Sequence, residues 1–311
     1  MTRRRLGSCA CVVGAVMTSA LVAAGCAFGF GGGSAPAILP DDYMKSDAHM
    51  ARARFRVMPD PKDPSQPAAF NRIRRVYVTG SGPKVILLHE LPGLRDGDIE
   101  LGAELGSRFE VYMPLLFGVA GQDDTGLGTR QACKTGLFQC NDRNTRHSIT
   151  TDLLSMTNHI CGGAECGVIG MCLTGSFPLY LMPAEGVVAL VMAQPTLPFV
   201  WHIWPFAGLD ISEEDTASAM SIAAQRKASI YMVRYRHDFI SGHSAFNRLR
   251  KRIEASKAAL SFFDAREVSA HGHSTLVNDP KQPEVAREQV DAVVKALDAR
   301  LRRPAAQPPG N

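Results

Sequence analysis

A chain of 311 residues with an ordinary apolar share and a formal charge of +4 has room for one large domain with a fully buried sheet. Arg3, Arg4 and Arg5 carry most of that surplus, so the rest of the chain is close to neutral. No basic stripe with interleaved aromatics occurs, which excludes nucleic acid as an expected partner.

In chain order, the first feature is an export signal. Three arginines precede an apolar stretch over residues 6–24, rich in Ala, Val and Gly, which ends at Gly25-Cys26. A charged start, an apolar core and a small-residue site are the marks of a signal segment over residues 1–25. Ala23-Ala24-Gly25-Cys26 resembles a bacterial lipobox, with Ala23 where leucine is preferred, and it makes Cys26 the expected site of a lipid and a membrane anchor. Residues 2–6 have a faint twin-arginine look, and an uncleaved single-pass anchor is the other reading. Each version puts the domain outside the cytoplasm, in the periplasm or cell envelope.

Residues 26–66, rich in Gly, Ser, Pro and Asp, read as a flexible tether with a short helix near residues 47–54. The globular domain is expected over 67–303 and a disordered tail over 304–311. An alternating stretch predicts an outer strand at residues 73–79, short apolar runs predict strands at 84–89, 109–113, 168–171, 186–193 and 229–235, and 262–268 reads as the last strand. Helical spacing marks 96–107, 148–160, a segment starting at 212 with Ser212 as its cap, 244–254 and 285–301. Residues 118–146 lack clear periodicity and read as a lid or rim. Residues 194–210 form an aromatic loop in which Phe199, Trp201 and Trp204 are candidates for lining a substrate pocket. Strands alternating with helices define an α/β class with a mostly parallel central sheet and helices on both faces.

Of eight cysteines, Cys9 and Cys11 go with the signal and Cys26 is the anchor candidate. Cys133, Cys140, Cys161, Cys166 and Cys172 remain, an odd set for an exported chain, which suggests pairs plus one free thiol. Local pairing Cys133–Cys140 and Cys161–Cys166 would leave Cys172 single, but the sequence does not choose among connectivities. The spacings do not match zinc ligation, and neither a metal nor an organic cofactor is expected.

The stretch over residues 166–182 has the layout of a strand, a nucleophile and a helix. Cys172 follows an apolar run, with Gly170 two positions before it and Thr174 two positions after, followed by Gly175. A nucleophile on such a strained turn needs small neighbours on both sides; the alternative is a structural cysteine buried at a strand end. Asp238 and His273 also follow expected strands, and parallel sheets present function at the carboxyl ends of their strands. A thiol is a strong nucleophile as the thiolate, so a histidine must take its proton, and a carboxylate must orient that histidine. His271 competes with His273 for this part. A metal cluster of His237, His271 and His273 lacks ligand spacing, and His89 reads as a packed strand-end residue. The backbone amides of Leu91 and Leu173 are the expected oxyanion donors.

His89-Glu90-Leu91-Pro92-Gly93, Gly170-Met171-Cys172-Leu173 with Gly175, Asp238 after a strand, and Gly272-His273-Ser274 together resemble the dienelactone hydrolase family of the α/β-hydrolase superfamily, over about residues 70–300. The resemblance implies an α/β-hydrolase fold and a cysteine-dependent hydrolase of carboxylic esters or lactones, acting on a small molecule through an acyl-thioester. Cys172, Asp238 and His273 would be the triad, and Glu90 would lie beside the thiol and influence its charge. Two positions depart from the family. Thr174 replaces a glycine in the turn, and Val277 stands where the dienelactone-cleaving members carry an arginine that grips the substrate carboxylate, which points to a less charged ester. A catalytically silent envelope lipoprotein that keeps the fold as a binding or scaffold module is the competing expectation.

Overall fold

The structure, a computed structural model, describes residues 38–135, 148–196, 211, 213–277 and 282–302. The signal over 1–25, Cys26, Cys140, the Cys133 side chain, Phe199, Trp201, Trp204, Ser212 and the tail over 304–311 lie outside the described residues. So does the expected Cys133–Cys140 pairing.

The strands are β1 (Arg56–Val57), β2 (Val76–Gly80), β3 (Lys84–Leu88), β4 (Glu110–Pro114), β5 (Cys166–Met171), β6 (Val187–Ala193), β7 (Ser229–Tyr235) and β8 (Phe262–Val268). Among the described residues they form one eight-stranded sheet in the order β1-β2-β4-β3-β5-β6-β7-β8. β2 runs antiparallel to both of its neighbours and every other pairing is parallel. The helices are α1 (Pro40–Arg52), α2 (Asp96–Leu105), α3 (Thr125–Thr135), α4 (Ser148–Cys161), α5 (Phe177–Leu181), α6 (Glu213–Gln225), α7 (His243–Glu254) and α8 (Pro283–Leu301).

β5, β6 and β7 are buried along their whole length, as continuous apolar runs require when helices cover both faces. Alternation along β3 shows the two layers. Ile86 and Leu88 join a core with Leu153 of α4, Leu179 of α5, Met220 of α6 and Leu249 of α7. Val85 and Leu87 face the other way, toward Ile99 of α2 and Val293 of α8.

The strand order decides where chemistry can sit. From β3 the chain first moves outward to β4 and then returns to β5 on the other side of β3. That reversal opens a crevice at the carboxyl ends of β3 and β5, where open α/β sheets bind ligands. Leu88 of β3 is in register with Gly170 of β5, so Glu90 and Cys172, each two residues further on, emerge at the same height.

Two regions differ from expectation. Much of the expected tether is folded: α1 begins at Pro40, and Met50 and Phe55 are buried. Its inward face is largely polar, which is why periodicity does not reveal it. The Ser46 hydroxyl accepts the Ala120 amide at 3.0 Å, Gln131 donates to Asp42 at 3.4 Å, and Asp47 accepts from Arg75 and from the Tyr77 hydroxyl. Within the irregular 118–146 segment lies α3, whose first turn is capped by Asp124 Oδ1 accepting the Leu127 amide at 2.8 Å. The expected Cys161–Cys166 disulfide is present and ties the last residue of α4 to the first of β5.

Candidate active site

Cys172 has φ +52°, a left-handed backbone that costs a non-glycine residue of order 1–2 kcal/mol. The turn around it is a 3-10 segment, Cys172–Thr174, rather than the direct start of a helix. Its neighbours are small for steric reasons. A Cβ on Gly170 would lie 2.1 Å from the Thr174 carbonyl oxygen, and one on Gly175 would lie 2.6 Å from the Pro195 Cα. Among the described residues Cys172 is the free cysteine, and its sulfur lies 3.5 Å from the Thr196 hydroxyl.

Asp238 and His273 meet in the loops after β7 and β8. His273 Nδ1 is 2.7 Å from Asp238 Oδ2, while Asp238 Oδ1 accepts the amides of Ile240 at 2.8 Å and Ser241 at 3.0 Å. The other ring nitrogen, Nε2, is buried and makes no hydrogen bond. A ring nitrogen of His273, the Cys172 sulfur and a Glu90 carboxylate oxygen all lie within 4.8 Å of one another; Nδ1 being engaged by Asp238, Nε2 is the nitrogen left to serve the thiol. Burial works against the imidazolium, but the charge at Cys172 and the hydrogen bond to Asp238 outweigh it and hold His273 well above the ordinary imidazole range.

Asp238 is itself supported from below. Arg234, only 1% exposed, donates from Nη2 to the Asp238 carbonyl at 2.8 Å, from Nε to the Ser241 carbonyl at 2.9 Å, and from Nη1 to Glu267 at 2.9 Å. The Ser241 hydroxyl donates to the Pro195 carbonyl at 2.8 Å, which ties this loop to the segment after β6. A fully buried guanidinium with three acceptors is a rigid support for a loop that must hold a carboxylate still.

Glu90 is buried and surrounded by donors. Arg95 and the Ser274 hydroxyl donate to its Oε1, and Gln194 Nε2 donates to its Oε2 at 3.1 Å. Gln194 in turn accepts the Thr275 amide at 3.2 Å and the Thr275 hydroxyl, so one side chain joins the Glu90 loop to the His273 loop. Arg95, Arg234, Gln194, Thr196 and Thr275 are not among the residues that sequence patterns single out, and Ser274 enters only as the neighbour of His273 in its motif. For Gln194 a signal exists: it directly follows β6, at the carboxyl end where parallel sheets present function, and the structure gives it a φ of +35°, a strained strand end. The others act across elements and carry no local pattern.

Thr174 is a tie rather than an intrusion. Its fully buried hydroxyl accepts the Met171 amide at 3.1 Å and sits 3.0–3.2 Å from the carbonyls of Met171, Leu88 and His89. It therefore fastens the end of β3, which carries Glu90, to the turn that carries Cys172. Thr174→Val keeps the shape and removes these bonds, so it is expected to lower stability by about 2 kcal/mol, with Thr174→Ser near wild type. Urea unfolding of the two variants measures this, and equal midpoints would refute the tie.

His89 is a packing residue, as expected. Nδ1 donates to the Glu90 carbonyl at 3.0 Å, Nε2 accepts the Leu116 amide at 3.0 Å, and complete burial pulls the ring down to about 4. His271 does not compete for the thiol: it is exposed and stacks on His237 with ring centroids 4.5 Å apart. Leu173 is buried in the turn after Cys172 and Leu91 is half-buried after β3, the two positions from which their amides are expected to serve an oxyanion. Val277 packs on the start of α2, where a Cβ on Gly97 would lie 2.3 Å from its Cγ1. Glu90, Cys172 and His273 are the described residues grouped closely enough to ligate a metal, yet the Glu90 oxygens are already taken by donors, one of them a guanidinium that opposes a cation.

The sheet order, the sharp turn after β5 and the layering of helices on both faces make this an α/β-hydrolase fold. A Klebsiella pneumoniae structure assigned as a dienelactone hydrolase superposes with a TM-score of 0.51 at 14% identity, covering 74% of this chain and 93% of its own. A dienelactone hydrolase-like promiscuous phosphotriesterase from metagenomic libraries superposes at 0.50 and 14% identity, covering 71% and 91%. At such identities the likeness is one of fold. No family model matches the sequence, and no curated protein does.

Proposed function

We propose that this protein is a cysteine-dependent hydrolase of small carboxylic esters or lactones. The observation that carries this reading is a free thiol on a left-handed turn at the sheet's switch point, beside a histidine whose far nitrogen is held by a buried carboxylate. In the reaction, the Cys172 sulfur attacks the carbonyl carbon while His273 holds the thiol proton, and the C=O pair moves onto oxygen. The amides of Leu91 and Leu173 stabilise that oxyanion. Collapse expels the alkoxide, which takes the proton from His273, and leaves an acyl-thioester. Water, deprotonated by His273, then attacks the thioester, releasing the acid and restoring the thiol.

The substrate is a neutral ester. Position 277 presents a valine to α2, and Arg95 is already engaged by Glu90 and Asp98, so neither offers a guanidinium to a substrate carboxylate. Phe199, Trp201 and Trp204 would line the acyl pocket. The protein acts outside the cytoplasm after export on its N-terminal signal, held at a membrane by a lipid on Cys26; no described helix is long and apolar enough to cross a membrane.

The test is covalent trapping. Rapid acid quench during turnover of a p-nitrophenyl ester, followed by peptide mass mapping, is expected to place the acyl group on Cys172. Turnover with the acyl group on another residue would overturn the mechanism, and absence of turnover across neutral esters and lactones would favour the silent scaffold.

A further inference from the structure

Arg95 lies at the junction between the Glu90 loop and α2. Its side chain is 26% exposed, whereas the carboxylates it bridges are almost completely buried: Glu90 at 2% and Asp98 at 0%. Its guanidinium donates to Glu90 Oε1, and its Nε and its backbone amide both face Asp98 Oδ2, at 3.4 and 3.1 Å. Asp98 thus fixes both the start of α2 and the direction of the Arg95 side chain. Its remaining oxygen, Oδ1, is buried without a partner, and burial together with Glu90 raises its carboxyl well above the ordinary carboxylate range. The Arg95 guanidinium makes its closer ion pair with Glu90 and the longer one with Asp98.

Glu90 shares a 4.8 Å space with the sulfur of Cys172. An uncompensated carboxylate at that distance would oppose formation of a thiolate, because two like charges in a desolvated site repel strongly. The protein pairs that carboxylate with the Arg95 guanidinium, at the start of the helix on which Val277 packs. We infer that Arg95 is a positioning residue that neutralises Glu90 and so sets the pH at which Cys172 becomes nucleophilic. The inference rests on Cys172 being the reactive thiol. The other charged or titratable groups around the pair are His273 and Asp238 from the loops after β8 and β7, neutral His89 at the end of β3, and Asp123, which acts on Arg95 from the segment before α3. Of all these, Arg95 alone is a permanent cation.

A charge cycle on the full chain tests this, read as the rate of Cys172 alkylation by iodoacetamide against pH, with the site identified by mass mapping. Arg95→Met is expected to move the midpoint up by about one unit, slowing alkylation by about tenfold at pH values below the wild-type midpoint. Glu90→Gln moves the midpoint down, because the arginine is then unopposed. The double variant returns close to wild type. Arg95→Lys keeps the charge without the fork and holds the midpoint, which serves should Arg95→Met fold poorly. A midpoint unmoved by Arg95→Met, or moved equally with and without Glu90, overturns the role given to Arg95. A wild-type Cys172 that is not alkylated at any pH in the folded protein overturns the nucleophile reading itself.

Discussion

Replacing Cys172 by alanine is expected to lower kcat for an activated neutral ester by about a thousandfold or more, with KM nearly unchanged. A thousandfold corresponds to about 4 kcal/mol of transition-state stabilisation, the scale expected when a covalent route is removed and only binding and the oxyanion donors remain. The fold should not respond. Alanine bears the same backbone strain at φ +52°, and the sulfur it removes makes a 3.5 Å approach to the Thr196 hydroxyl. Thermal unfolding of the variant should therefore match wild type, so a loss of activity cannot be charged to unfolding. Cys172→Ser should also be slow, since the hydroxyl gives up its proton far less readily than the thiol. Wild-type turnover by Cys172→Ala would place the nucleophile elsewhere.

The second large effect is expected at Asp238. Asparagine is the same size, yet Asp238→Asn should cost roughly 10³–10⁴ in kcat, and the hydrogen bonds around Asp238 say why. Oδ1 accepts two backbone amides, from Ile240 and Ser241, so the introduced amide must keep its carbonyl oxygen there. Its NH₂ then faces His273 Nδ1, which has to become an acceptor. The ring proton is driven to Nε2, the nitrogen nearest the thiol, and the base is blocked in the wrong tautomer. Because Arg234 holds this loop through the carbonyls of Asp238 and Ser241, the substitution leaves the backbone in place and isolates the proton's position. A pH–rate profile of Asp238→Asn measures it, and a loss below tenfold would mean that His273 does not act through Asp238.

Much of this site is legible in the sequence because function follows short apolar runs. Glu90, Cys172 and Asp238 each come shortly after a buried parallel run, His273 follows the half-buried edge strand β8, and β7 and β8 fall at the expected bounds. The glycine at position 170 is legible for a steric reason that the structure makes quantitative. Thr174 reads as a departure from a small-residue rule, because sequence shows size but not the carbonyls of Leu88 and His89 that its hydroxyl meets. α1 reads as tether because Asp42 and Ser46, polar by type, are buried through hydrogen bonds to Gln131 and Ala120 rather than by hydrophobicity.

The amino-acid sequence by itself determined the class of fold, the order of the elements and the candidate site residues, because hydrophobic period and turn chemistry are local properties of a few consecutive residues. Only the tertiary structure decided the charges around the thiol: Arg95 on Glu90, Gln194 bridging two loops, Arg234 beneath Asp238. Those partners come from different strands and helices, and an ion pair or hydrogen bond between distant segments leaves no periodicity in either one. It exists only once the reversal of direction at β3 has brought their loops to one edge of the sheet.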